Sequence, residues 1–331
     1  MITFSRMEDI KWGIVGPGKI AAKFAQDLNL VKGATIEAVA SRNVERAQSF
    51  ASEHGANQVF GSYEELFASD TVDVIYVATP HVFHKDLTIR AMQSGKHVLC
   101  EKPMGVNSAE VHEMLQVAGE NQVFLMEALW SRFHPTIIEI KKKIDKGVLG
   151  KIHYINADFA FYAMDRDAGS RLLDPHLAGG SLLDIGIYPV FLAYVLLGMP
   201  KHITANAELR DNGLETQVAM LFEYDNARAV LYSGLTHNSR MSAEIAGDKG
   251  NFYLDPRWHE ANGYEQLVEG KGEKIDLPKH GNGYTHEIEE VHTCLKQGKT
   301  ESALWSHQDS KNLIALLDKI RNLSGIHFPF E

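Results

Sequence analysis

The sequence predicts an α/β protein of two domains: a doubly wound parallel sheet over residues 1–127, then an α+β domain over 128–331 built on a large, mostly antiparallel open sheet. Three observations carry this. Short β-branched runs alternate with amphipathic helical segments through the first 127 residues, the pattern of βαβ units. After Trp130 the runs lengthen, alternate apolar with polar residues and are joined by turns, as antiparallel strands are. The 331 residues also exceed the roughly 250 to 300 beyond which a single core tends to split.

In chain order the first strands are IKWGIVG, TIEAVAS, a short QVF, VDVIYVAT, HVLCEK and VFLMEAL, whose continuous apolar character fits strands covered on both faces. Between them run the helical segments KIAAKFAQDLNLV, NVERAQSFASEHG, SYEELFAS, HKDLTIRAMQSG and NSAEVHEMLQVAGEN. Asn43 and Ser62 stand as N-caps, and Gly55 and Gly95 as C-terminal stops. In the second half QVAMLFEY, the turn DNA and RAVLYSGLT read as a hairpin. Helices PTIIEIKKKIDKG, SLLDIGIYPVFLAYVLLG, THEIEEVHTCLKQG and SKNLIALLDKIRNLS punctuate the sheet. Pro189 removes a hydrogen bond and crowds the preceding turn, so its helix is expected to kink near Ile185 and Gly186. No linker rich in Pro, Gly or Ser separates the halves, and a packed interface is expected.

The 33 basic against 43 acidic side chains give a net charge of -10, which repels a phosphate backbone, so nucleic acid is not an expected partner. No run of 18 or more apolar residues stands out, and MITFSRMEDIKW lacks the apolar segment and cleavage site of a signal peptide. A cytoplasmic chain without membrane contact is expected. Cys100 and Cys294 lie far apart and outside any CxxC or CxxH spacing, so neither a disulfide framework nor a zinc site is expected. His81 and His84 are three apart, but no Asp, Glu or Cys stands at ligand spacing, and no metal is expected.

WGIVGPGKIAAKF places Gly16, Gly18 and Ala21 in a GxGxxA arrangement at the first strand-to-helix junction, pointing to a Rossmann dinucleotide site. The first glycine permits a tight turn, the second lets a pyrophosphate approach, and Ala21 lets helix and strand pack closely, with Lys19 and Ile20 opening the helix. A plain glycine turn in a flavodoxin-like domain is the competing reading. The second strand ends in Ser41, Arg42 and Asn43, where an NAD site normally has an acidic residue, while Glu37 lies inside the strand. A hydroxyl followed by a guanidinium suits a 2′-phosphate, so NADP(H) is expected over NAD(H); a solvated loop arginine is the alternative.

Strand five ends in HVLCEKP, bringing Glu101, Lys102 and Pro103 to the carboxyl edge of the sheet, where ligands of open α/β folds bind. Lys102 either pairs with Glu101 or Asp73 at the surface or sits beside the nicotinamide and holds a substrate oxygen. Together GPGKIA, ATPHVFH, EKP and GGSLLDIGIY, in that order, resemble the Gfo/Idh/MocA family of nicotinamide-dependent oxidoreductases from about residue 10 to the C-terminal helix. MEALWSRFHP and DIGIY are similar, within it, to the dimeric dihydrodiol dehydrogenases and next to glucose-fructose oxidoreductase. The resemblance implies Lys102 and Tyr188 as the catalytic pair with Asp184 beside them. Most members carry histidine where this chain has Tyr188, so the sugar chemistry of histidine-type relatives does not transfer directly.

A buried carboxylate and phenol four residues apart are costly unless bonded. Moving a hydride to or from a carbinol carbon also moves the hydroxyl proton, and a phenol can relay it if a nearby ammonium lowers its pKa from about 10. Lys102 would supply that charge and bond the substrate oxygen, with Asp184 fixing the orientation or charge of Lys102. The competing readings are a core tyrosine and an aspartate that caps a helix start. Ala78, Thr79 and Pro80 are expected under the nicotinamide ribose, with His84 near cofactor or substrate, unless it is a surface histidine. Trp130, Arg132 and Phe133, with His81, Trp258 and Tyr284, are the candidate pocket walls, against plain packing.

The expected function is NADP(H)-dependent oxidation or reduction of a secondary alcohol or carbonyl in a cyclic polyol, a sugar or a trans-dihydrodiol, by a homodimer as the resemblance implies. A cofactor-bound sensor without turnover and an NAD-dependent glycosidase are the rival readings.

Overall fold

The computed structural model describes residues 9–167, 169–254 and 256–331, which divide into two compact units. In the first, β1 (Ile10–Val15), α1 (Lys19–Leu28), β2 (Ala34–Ala40), α2 (Val44–His54), β3 (Gln58–Phe60), α3 (Tyr63–Phe67) and β4 (Val74–Val77) alternate as the sequence leads one to expect. They are followed by α4 (His84–Gln93), β5 (His97–Glu101), α5 (Ser108–Asn121) and β6 (Leu125–Ala128). The sheet is parallel with order β3-β2-β1-β4-β5-β6, so the strand order reverses between β1 and β4 and opens the crevice where doubly wound sheets bind ligands. Asn43 and Ser62 cap α2 and α3 through their side chains, and Gly55 closes α2 in the left-handed conformation.

The second unit contains α6 (Pro135–Asp145), β7 (Ile152–Ala160), a π turn over Leu182–Gly186 that runs into α7 (Ile187–Leu197), and then seven further strands. These are β8 (His202–Leu209), β9 (Glu215–Glu223), β10 (Arg228–Gly234), β11 (Ala243–Gly247), β12 (Gly250–Leu254), β13 (Gly263–Val268) and β14 (Lys271–Asp276). Their order is β14-β13-β12-β11-β7-β10-β9-β8, antiparallel throughout except for the β7–β10 pair. Along β9 and β10, Val218, Met220, Phe222, Ala229 and Leu231 turn inward, and the sheet buries that face under α7. The helix is apolar all round because it is covered all round. Contrary to the expectation of no such run, Pro175–Leu197 is long and apolar enough to cross a membrane by composition, but most of it is buried inside this unit, as a core helix is.

Two helices complete the chain: α8 (Thr285–Lys296) and α9 (His307–Ser324). The units are Met1–Phe133 with His280–Lys311, and His134–Lys279 with Asn312–Glu331, which differs from a single cut after residue 127. The reason is the return of the chain. Asp27 on α1 accepts the backbone amides of Asn282 and Tyr284 at 2.8 Å each, and the Trp12 indole donates to His292 on α8 at 3.1 Å.

The expected kink at Ile185 and Gly186 takes the form of the π turn. Pro189 has no amide to donate and its ring crowds the carbonyl of Ile185, four residues earlier, so the wider turn relieves the clash before α7 continues.

Candidate functional site

Each unit carries its own set of chemistry-bearing side chains. In the first, the loop from β1 to α1 turns at Gly16 (φ 83°), where a Cβ would lie 2.9 Å from the Ala78 carbonyl oxygen. Gly18 is different. Its φ is -110°, and nothing lies nearer than 3.8 Å to where its Cβ would be. The protein itself does not demand a glycine there, whereas a pyrophosphate resting on the first amides of α1 does. Ala21 is fully buried, as close helix–strand packing requires. The loop therefore fits a dinucleotide, with Lys19 and Ile20 opening the helix beneath it.

Beside this loop, Ser41 accepts the Asn43 amide at 3.2 Å and Asn43 accepts the Arg46 amide at 2.9 Å, so both side chains shape the start of α2. Arg42 is exposed, its guanidinium 5.7 Å from the centre of the Phe83 ring. Arg46 was not anticipated. Its Nε donates to the Pro17 carbonyl at 2.9 Å, which brings a second guanidinium to the glycine loop. Four-residue spacing from Arg42 across an N-cap was the signal for it. Glu37 accepts from Asn57 at 2.9 Å and Gln58 at 2.7 Å, so its carboxylate is spent on the fold.

The loop after β4 presses Ala78 and Thr79 against Gly16, with Pro80 preceding a 3₁₀ turn that begins at His81. His84 is fully buried, with Nδ1 2.9 Å from the Pro103 oxygen and Nε2 2.8 Å from the Thr79 oxygen. It is therefore not a surface histidine, and it ties together the loops that follow β4 and β5. His81, also buried, meets it edge-on at 5.7 Å.

At the end of β5, Glu101 accepts the Tyr76 hydroxyl at 2.5 Å and the Lys102 amide at 3.2 Å. Burial, and then the charge of Glu101, push the Tyr76 phenol well up. Glu127 on β6 is a buried carboxyl that accepts Met104 N at 2.8 Å, Trp305 Nε1 at 3.1 Å and Ser310 Oγ at 2.7 Å. Burial raises its pKa, and these bonds and the charge of Lys102 oppose the rise. Within the first unit, then, a carboxylate that the sequence reading passed over bears on Lys102. Glu287 on α8 is fully buried, with neither carboxyl oxygen hydrogen-bonded among the described residues. Burial, and then the charges of Glu101 and Asp27, hold its carboxyl well above the usual carboxylate range.

Trp130 and Tyr284 are stacked at 4.7 Å with 10° between their planes, and both are largely buried, as is Phe133. Arg132 is half-buried in the short turn that carries Trp130. The stack continues as Tyr284 meets Phe24 edge-on at 6.1 Å.

In the second unit Asp184 lies in the π turn and Tyr188 one turn later. Arg171 Nη2 reaches Asp184 Oδ1 at 2.8 Å. The cap position of the turn is taken by Ser181, and Asp184 stands inside the turn. The Tyr188 ring, 6% exposed, sits 5.6 Å from Phe159 and 5.2 Å from His259, which stack on each other at 4.2 Å. Trp258, expected as a pocket wall, is instead fully buried with its indole N–H on the Asp158 carbonyl at 2.9 Å. The hydrogen bond holds Trp258 in the core, and the next residue, His259, is the one that faces Tyr188. Among the described residues no group of three His, Cys, Asp or Glu side chains is arranged to hold a metal ion.

Residues 10–129 match the family described as an oxidoreductase family with NAD-binding Rossmann fold, and residues 137–253 match the GFO/IDH/MocA C-terminal domain. The chain is 34% identical to trans-1,2-dihydrobenzene-1,2-diol dehydrogenase of Xenopus tropicalis, over 96% of this chain and 99% of that one. It is 33% identical to scyllo-inositol 2-dehydrogenase (NADP(+)) of Bacillus subtilis, over 97% and 99%. A 3-ketoreductase from Actinomadura kijaniata, crystallised with NADP and TDP-benzene, superposes with a TM-score of 0.85 at 26% identity, covering 96% of this chain and 98% of that one.

Proposed function

The chain belongs to the Gfo/Idh/MocA oxidoreductase family, and on that premise we propose that it is an NADP(H)-dependent oxidoreductase acting on a CH–OH carbon of a cyclic polyol, a sugar or a trans-dihydrodiol. NADP, when bound, takes or gives the hydride. Gly16, Gly18 and the first amides of α1 seat its pyrophosphate, and Arg42 with Arg46 meets its 2′-phosphate by charge-assisted bonds.

Lys102, Tyr188 and Asp184 are the catalytic residues in this reading. The Lys102 ammonium holds the reacting oxygen, and the Tyr188 hydroxyl takes or gives the hydroxyl proton. Asp184 and Arg171 fix the turn from which Tyr188 projects. The observation that carries the reading is Tyr188 itself. It sets a phenol at the head of a largely apolar core helix, against His259 and one turn from an aspartate paired with Arg171, the residue types that proton relay uses.

The experiment is NADPH absorbance across a panel of scyllo-inositol, trans-dihydrodiols and aldoses, with wild type, Tyr188→Phe and Lys102→Met. Each substitution is expected to lower kcat by about 10²-fold or more, with NADP(H) affinity changed less than about threefold for Tyr188→Phe, since a positioned acid–base group contributes about 10²–10⁴. Near-normal turnover in Tyr188→Phe refutes the assignment. Cofactor binding with no turnover on any member of the panel favours a sensor, and bond cleavage without NADPH accumulation favours a glycosidase.

We also propose a cytoplasmic homodimer. Cys100 and Cys294 are free thiols, which suits a reducing compartment. The outward face of the eight-stranded sheet shows Val230 on β10 and Leu267 on β13, both about two-fifths exposed, on the side opposite α7. Sedimentation of wild type as a dimer, and of Val230→Glu as a monomer, tests this.

A further inference from the structure

Glu215, the first residue of β9, is buried, and its carboxylate accepts Leu182 N at 2.9 Å and also the Ser181 hydroxyl. Ser181 Oγ lies 2.8 Å from Ser233 Oγ of β10, so an acid and two hydroxyls form one buried clasp. The clasp accounts for both glycines that bracket the π turn. A Cβ at Gly180 would lie 2.7 Å from Glu215 Oε2, and one at Gly186 would lie 2.7 Å from Ser233 Oγ. The turn between them carries Asp184, and Tyr188 follows directly.

A carboxyl is a costly way to fill this space, since an apolar side chain or a glutamine would not bring a charge into the core. What the carboxylate alone provides is two acceptor oxygens with no donor, matched to one amide and one hydroxyl that both point at it. Protonated, it becomes a donor on one side and competes with Ser181 for the same partner. We propose that Glu215 is a positioning residue whose deprotonated form, acting through Ser181 and Leu182, holds the π turn and with it Asp184 and Tyr188 in the register the reaction needs. The inference rests on the reading of Tyr188 as catalytic.

Burial pushes the Glu215 carboxyl up to about 7, opposed by the bonds from Ser181 and Leu182. It therefore changes charge near neutral pH. The titratable and charged groups on the elements packed against it are Asp184 of the π turn, paired with Arg171, Tyr232 and Arg228 of β10, and Glu208 and His202 of β8; Arg228 and His202 pair with Glu223 at the far end of β9. Burial and then the charges of Glu208 and Glu215 raise the Tyr232 phenol, so it is neutral in the same range and does not blur the transition.

The test uses the full chain with NADP+ and whichever polyol of the panel turns over fastest, and compares wild type, Glu215→Gln, Ser181→Ala, Tyr188→Phe and the double variant Glu215→Gln with Tyr188→Phe. Wild-type kcat is expected to rise with pH through an inflection near 7, and the backbone amide NMR shifts of Leu182–Tyr188 to move with the same midpoint as the turn changes register. Glu215→Gln is expected to lower kcat about tenfold with the NADP+ KM within about twofold, to erase the inflection, and to leave the Leu182–Tyr188 amide shifts unmoved between pH 6 and pH 8. Ser181→Ala shifts the same quantities in the same direction by about threefold, which decides the matter if Glu215→Gln does not fold. In the Tyr188→Phe background, Glu215→Gln is expected to cost nothing further in kcat. The proposal is overturned if Glu215→Gln keeps wild-type kcat and its inflection, or costs as much in the Tyr188→Phe background as it does with Tyr188 in place. Failure of the Tyr188 reading looks different: Tyr188→Phe then turns over normally, and the amide shifts alone report whether the clasp holds the turn.

Discussion

Arg171 sets a guanidinium nitrogen 2.8 Å from the Asp184 carboxylate, joining the loop before the π turn to the turn itself. The Asp184 side chain is 12% exposed and that of Arg171 42%, so the pair stands between an exposed ion pair and a buried one. Exposed pairs contribute under about 1 kcal/mol, and stranding one member of a buried pair costs about 3–5 kcal/mol. Arg171→Ala is expected to destabilise by about 1–2 kcal/mol, discounted for screening at the arginine. It is also expected to lower kcat about tenfold with the NADP(H) KM within about twofold. Arg171→Lys keeps the charge but not the planar fork, and recovers only part. Thermal melts and steady-state kinetics check this. Full turnover in Arg171→Ala excludes a catalytic part for the pair.

The two glycines of the cofactor loop predict opposite phenotypes. Gly16→Ala forces a Cβ onto the Ala78 carbonyl at 2.9 Å and into a left-handed conformation, so it is expected to cost about 1–2 kcal/mol of stability. Gly18→Ala meets no protein atom within 3.8 Å and is expected to leave the melting temperature unchanged. It places a methyl where the pyrophosphate must come, so NADP(H) affinity is expected to fall about tenfold or more. Tight cofactor binding by a stable Gly18→Ala protein contradicts the assignment of this loop.

The legible parts of this molecule are those written in local period and spacing. Apolar runs set the six parallel strands, Asn43 and Ser62 marked helix starts, and Pro189 announced a distortion whose form, a π turn, depends on what surrounds it. The buried acids were not legible in the same way. Glu127 interrupts VFLMEAL as a single polar residue, and its partners Met104, Trp305 and Ser310 come from far along the chain. Glu215 bonds to Ser181 across 34 positions. Glu287 did leave a trace, since it shares the apolar face of α8 with Val291 and Cys294 at helical spacing. Trp258 shows the converse: an aromatic of the kind that lines pockets lies in the core, its indole N–H taken up by one backbone carbonyl.

Cofactor preference should follow from Arg42 and Arg46 together. Arg42 is exposed and its guanidinium lies against the Phe83 ring, while Arg46 is held to the Pro17 carbonyl, so the second is the better ordered. Arg42→Ala and Arg46→Ala are each expected to raise the KM for NADP(H) roughly tenfold, near the 1.5–3 kcal/mol of a charge-assisted bond after solvent screening, while changing that for NAD(H) less than twofold. The double variant is expected to use both cofactors about equally. A wild-type KM lower for NAD(H), unmoved by either substitution, reverses the preference assigned here.

His292 gives the first unit an acid-sensitive joint. Its Nε2 accepts the Trp12 indole N–H at 3.1 Å, which only the neutral ring can do, and burial, then the charge of Lys296, hold its pKa down to about 4. The ordinary value in an unfolded chain is about 6.5. A depressed histidine favours folding fully above the unfolded value and loses that contribution as pH falls from about 6.5 through 4, because the unfolded chain then binds the proton more readily. The loss is on the order of 3 kcal/mol. Glu215 runs the other way. Its raised pKa favours folding below about 4.5, and that contribution is lost as pH rises through about 7. Between the two the slopes oppose each other, so wild-type stability is expected to change little with these groups from about pH 4.5 to 6.5. His292→Gln leaves an amide oxygen for the indole and removes one of the two slopes. Its melting temperature is therefore expected to fall less than that of wild type when pH is lowered from about 7.5 to 4, whatever its offset at neutral pH. Parallel curves for the two proteins across that range would show that the His292 imidazole does not titrate in the fold.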